Sequence, residues 1–201
     1  MVMSIASALQ CTAFLGARQI AAGPLERVAL AVKARLREAR GQSALVFDDA
    51  TGRAIDLDLR GTDDDVVRRL AVHPLVDRAA KNQSQPRGPG RPKLGVVARE
   101  VTLLPRHWEW LSLQSGGASV ALRKLVDEAR RTHGGRDRVR QAQEATSHFM
   151  SAMVGNEPGY EEAARALFAG DRARFDALIA AWPADLRAYV ARLAEPAFPP
   201  A

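Results

Sequence analysis

The chain has 201 residues, 47 % hydrophobic, 26 % charged and only 5 % aromatic. That composition fits one or two small soluble domains whose cores are packed with aliphatic side chains. No apolar run approaches the ~20 residues of a membrane span, and a single cysteine, Cys11, excludes an intramolecular disulfide and fits a cytoplasmic home. The net charge of +6 is uneven: residues 1–80 hold 11 basic and 10 acidic side chains, 81–140 hold 13 and 5, and 141–201 hold 5 and 8. A middle third at net +8 is the footprint of a polyanion partner, with double-stranded DNA first in line.

In chain order, Cys11–Leu15 and Arg18–Ala22 read as short strands pairing across Gly16. After Gly23-Pro24 a helix is expected over 25–40, because Leu25, Val28, Ala29, Val32 and Leu36 recur at three- and four-residue spacing. Gly41 stops it. Ala44–Phe47 and the alternating Ile55, Leu57 and Leu59 predict a hairpin around the polar turn 48–53. Gly61-Thr62 can cap a short helix carrying Asp63, Asp64 and Asp65 in its first turn, where the helix dipole favours acids. Residues 81–93, with three prolines, two glycines and no apolar side chain, form a basic linker.

From Leu94 to Leu104 the chain is rich in β-branched and aliphatic residues, as a strand is. Pro105 then opens a helix that Gly116-Gly117 ends. Trp108 and Trp110 lie about 100° apart on it, so one is expected in the core and one on a surface. Ser119 is placed to cap a second helix with an apolar stripe at Leu122, Leu125, Val126 and Ala129. Beyond Gly134-Gly135, helices are expected over 137–152, 158–169, 171–180 and 184–193, then a frayed tail over 196–201. The fold class expected is α+β. A small N-terminal sheet with helices (1–80) and the linker (81–93) lead to a strand-helix-helix unit (94–133) and a helical C-terminal region (134–195).

The strand, the helix begun by Pro105, the Gly117-Ala118-Ser119 turn and the second helix resemble the ribbon-helix-helix family of bacterial DNA-binding proteins. That resemblance implies a homodimer whose paired strands enter the major groove and whose second helix presents its N-terminus to a phosphate. Ser119 would be the phosphate anchor, with Arg123 one turn on. Two registers stay open: Arg99 faces the groove with Val101 and Leu103, or a one-residue shift turns Glu100 and Thr102 outward. Gly90-Arg91-Pro92-Lys93 resembles an AT-hook, which lies in the A·T minor groove. With Arg87, Arg91 and Lys93 it makes a basic arm that can neutralise phosphates. The phrases Arg-His-Trp-Glu-Trp-Leu (106–111) and 116–126 also resemble an uncharacterised bacterial family, domain of unknown function 2239, which implies no activity.

No catalytic, metal or cofactor-binding constellation is expected, and the chain does not read as an enzyme. His73, His107, His133 and His148 form no i, i+4 pair, and there is no phosphate-cradling glycine loop. Asp56, Asp58 and Asp63 to Asp65 are explained as a strand exterior and a helix start. The expected function is a dimeric DNA-binding regulator using Arg87, Arg91, Lys93, Arg99, Thr102, Ser119 and Arg123. The alternative is a protein-interaction module, adaptor or antitoxin-like, with a partner on the C-terminal helices and no nucleic acid.

Overall fold

The computed structural model describes residues 9–39, 41–76 and 99–199. The fold is α+β, with a four-stranded antiparallel sheet followed by helices. The chain divides into two compact units, one from residues 1–83 with 138–201 and one from 84–137.

In the first unit, β1 (Gln10–Leu15) and β2 (Arg18–Pro24) form the expected hairpin around Gly16. β1 also pairs with β3 (Ala44–Asp48), and β3 with β4 (Ala54–Ile55), giving the order β2-β1-β3-β4. The two-residue alternation of a strand sorts the side chains by face. Cys11, Ala13 and Val46 pack with Leu25, Val28, Ala29 and Val32 of α1 (Leu25–Glu38) and with Val66 and Leu70 of α2 (Asp63–Ala71). Phe14 and Phe47 point the other way and join the C-terminal helices in a second core.

The strand expected through Leu59 ends at Ile55, since only Ile55 and Ala54 have partners on β3. The alternation of burial still persists, with Leu57 and Leu59 half-buried and Asp56, Asp58 and Arg60 exposed. Instead of a neighbouring strand, the Asp58 and Arg60 carbonyls accept the Arg69 guanidinium. Thr62 caps α2 as expected: its hydroxyl accepts from the Asp65 N–H while the Asp65 carboxylate accepts from the Thr62 N–H at 2.8 Å. The buried Lys33 Nζ reaches Asp63 at 2.8 Å and the Gly61 carbonyl at 2.7 Å, tying α1 to the start of α2.

In the second unit, α3 runs Pro105–Ser112 with proline in its first turn, and Gly116 and Gly117 at φ 86° and 75° turn the chain into α4 (Gly117–Met153). Three expectations are corrected here. The described residues before Pro105, 99–104, form no strand and pair with none of β1–β4. A lone extended segment has no ladder within one chain. Ser119 is the third residue of α4, not its cap. The helix also continues through Gly134-Gly135, neither of which takes a positive φ. Two glycines cost about 1 kcal/mol each, and packing of the following turns against the sheet outweighs that.

The later part of α4 carries Ala142, Ala145, Phe149 and Met150 into the second core of the first unit. There Phe14, Phe47, Phe149 and Tyr189 form one aromatic cluster, with centroids from 4.4 to 6.2 Å apart. α5 (Tyr160–Ala169), α6 (Arg172–Ile179, capped by the Asp171 side chain) and α7 (Ala184–Ala194) complete it. α5 starts at Tyr160 rather than Pro158: Gly159 takes φ 78°, and the Pro158 carbonyl accepts from Trp182 Nε1 at 2.9 Å. The tail is not frayed through 198. Glu195–Ala197 form a 3₁₀ turn, Ala197 is buried, and the Phe198 ring meets Phe175. The linker 81–93 lies outside the described residues, as do 94–98 of the expected strand.

Candidate functional sites

In the unit 84–137, ten basic side chains face five acidic ones. Of the residues singled out by sequence, Arg87, Arg91 and Lys93 lie outside the described residues, while Arg99, Thr102, Ser119 and Arg123 are all exposed. At about 100° per residue, Ser119, Arg123, Lys124, Arg130 and Arg131 share one face of α4. Ala121, Leu122, Leu125 and Ala129 lie roughly opposite. Lys124, Arg130 and Arg131, with Asp127 among them, line a shallow groove. With Asp127 between them they follow three- and four-residue spacing along the helix.

The apolar side of this unit is poorly covered. Leu111 and Ala121 are its buried hydrophobics among the described residues. Val101, Leu104, Trp108, Trp110, Leu113, Leu125 and Val126 stand 43–83 % exposed. Neither tryptophan is the core residue expected; Leu111 takes that place. Leu104, Trp108 and Leu111 share one stripe of α3, while Trp110 and Leu113 point away from it.

A second constellation sits in the first unit, where the turn 48–53 is held from several sides. The Asp48 carboxylate accepts from the Ala50 N–H at 3.0 Å and from the Thr51 hydroxyl at 2.7 Å. His148 of α4 donates from Nδ1 to the Thr51 carbonyl at 3.0 Å and accepts at Nε2 from Arg53 at 3.1 Å. Asp49 accepts from the buried Thr12 hydroxyl at 2.8 Å, from the Tyr189 hydroxyl at 2.9 Å and from Arg192 Nη2 at 3.2 Å. Burial, then the Asp49 charge, pushes the Tyr189 phenol well above its ordinary range, so it stays a donor. Along the sequence 48–53 is a polar turn and nothing more. The partners at 148, 189 and 192 are from 95 to 143 residues away, and no local pattern signals them.

A family model described as "Uncharacterized protein conserved in bacteria (DUF2239)" matches residues 10–194. The chain belongs to this family. The match spans both units, and its description assigns no activity. No curated protein and no solved structure matches the chain. Among the described residues, no helix is long and apolar enough to cross a membrane.

Proposed function

We propose that the chain is a homodimeric DNA-binding regulator whose unit 84–137 contacts the phosphate backbone and whose segment 97–104 forms the ribbon with a second copy. The observation that carries this reading is the two-sidedness of α4. Arg123, Lys124, Arg130 and Arg131 occupy one face, with apolar side chains on the other and little within the unit to cover them.

Val101, Leu104, Trp108 and Leu125 are large apolar side chains left 43–53 % exposed, which a second copy would cover. The described residues 99–104 are free of the sheet of the first unit, so they remain available for pairing. Ser119 in the first turn of α4 has an N–H without an intrahelical acceptor, which a phosphate can occupy beside Arg123.

The test is retardation of a labelled ~30-base-pair duplex by the full chain across a salt series, with mass measured by light scattering. Binding should weaken steeply with salt, and Arg99→Ala and Arg123→Ala should each lower the slope of log K against log salt by ~1. Deletion of 87–93 should cost more. A monomer with no retention at ~50 mM salt would sink the reading.

A second reading is a protein-interaction module without a nucleic-acid role. Trp110 and Leu113 favour it, because they are exposed and point away from the Leu104–Trp108–Leu111 stripe. Phe168 is the large apolar side chain left exposed on the C-terminal helices among the described residues. One stoichiometric protein partner and no nucleic acid in a pull-down would select this reading.

A further inference from the structure

A groove of about 950 Å³ opens in the first unit between the later turns of α1, residues 56–61 and the end of α2. We propose that this groove binds a medium-chain aliphatic carboxylate, its carboxylate on Arg37 and its chain along Leu36, Leu57, Leu59 and Val72.

The apolar wall follows from the strand pattern that runs past its partner. Leu57 and Leu59 keep the two-residue alternation beyond Ile55, where pairing with β3 stops. With Leu36 they pack against the core under α1, yet all three stay half-buried and line the groove. Val72, just past the end of α2, lines it as well and is 77 % exposed. Four aliphatic side chains around one concavity form a continuous apolar surface, unlike single exposed residues scattered over a protein. The volume is at the upper end of ligand pockets, and apolar walls with a few polar groups are their usual lining.

The polar side is built by Lys33 and Arg37, one turn apart on α1 and both lining the groove. The Lys33 side chain is only 7 % exposed, and its Nζ donates to Asp63 and to the Gly61 carbonyl. An ammonium has three donors, so one N–H is left over. Arg37 makes no hydrogen bond among the described residues and feels Asp63 only through space. Both edges of its guanidinium are therefore open, and either matches a carboxylate in two parallel hydrogen bonds. Lys33, Arg37, Arg60 and Arg69 bring four positive charges against Asp56 and Asp58 in the lining and Asp63 beside Lys33, a surplus of one. A single surplus charge beside a long apolar wall suits a monocarboxylate with an alkyl chain; a bare inorganic anion would leave the leucines without a partner.

The experiment uses the full chain, titrated by calorimetry with sodium octanoate, sodium hexanoate, octan-1-ol and octylammonium chloride at equal ionic strength. Octanoate should bind saturably, ~5- to 15-fold tighter than hexanoate, because two more methylenes are buried. Octylammonium, with the same chain and the opposite charge, should bind at least ~10-fold more weakly than octanoate. Arg37→Gln should weaken octanoate ~5- to 10-fold, towards the affinity of the alcohol.

Val72→Asn should weaken octanoate severalfold. Arg37 and Val72 are both exposed, so neither variant should move the melting temperature, and a lost affinity reads on the groove and not on folding. Absence of saturable octanoate binding overturns the proposal. So does octylammonium binding as tightly as octanoate, or octanoate affinity unchanged in Arg37→Gln. None of these residues lies in 84–137, so failure here and failure of the DNA reading are separate outcomes.

Discussion

Gly52 is where the turn 48–53 comes closest to α4. Its φ is 64°, and a Cβ added there would lie 1.8 Å from the Ala145 carbonyl oxygen and 2.6 Å from its carbon. The atoms it would meet are backbone, and a Cβ is fixed rigidly to its own Cα, so no side chain can swing away to relieve the clash. For Gly52→Ala the left-handed φ costs about 1–2 kcal/mol, and forced overpacking adds about 1–3 kcal/mol. To clear Ala145 the turn must shift by more than ~1 Å. That shift strains the His148 contacts to Thr51 and Arg53, worth about 0.5–1.5 kcal/mol each. The expected loss is about 3–6 kcal/mol, a large part of the 5–15 kcal/mol of a typical domain.

Gly16→Ala is the matched control. It has φ 57° and no atom within 4 Å of the added Cβ, so it should cost only the left-handed term, about 1–2 kcal/mol. Urea denaturation followed by far-ultraviolet circular dichroism measures both. If Gly52→Ala lies within ~1 kcal/mol of Gly16→Ala, the close approach of turn and helix is wrong.

Tyr189→Phe removes one donor to Asp49 and leaves Thr12 and Arg192 in place, so it should destabilise by about 1.5–3 kcal/mol in the same urea assay. No loss would mean that Tyr189 does not hold the turn. Burial, then Asp48 and Asp49, pushes the Cys11 thiol up to about 12. The folded state thus holds this proton more tightly than the unfolded chain. The stabilisation it brings is complete below the unfolded value near 9 and is lost as pH rises towards about 12. Labelling of Cys11 by a disulfide reagent at pH 8 should accordingly proceed at the rate of unfolding, and fast labelling of native protein would contradict that burial.

Local signals in the sequence determined much of the first unit. The stripe Leu25, Val28, Ala29, Val32 produced α1, Thr62 with Asp65 produced the capped α2, and Gly16 marked the first hairpin. These are decided within a few residues, by helix periodicity, side-chain capping and positive φ. The proline at the start of α3 and the basic excess of the middle third were legible for the same reason.

Contacts across long sequence separations decided the rest. Ile55 to Leu59 alternate as a strand does, but a ladder needs a partner, and β3 offers one only to Ala54 and Ile55. The segment before Pro105 has strand composition, yet among the described residues 99–104 pair with none of β1–β4. Gly134-Gly135 signals a stop that packing of later turns overrides, and Phe198 is held by Phe175 across a turn that prolines alone would fray. The Asp49 network joins positions 12, 49, 189 and 192. Only the fold brings them within hydrogen-bond reach, because the energy that assembles them comes from the aromatic core beneath and not from any pattern along the chain.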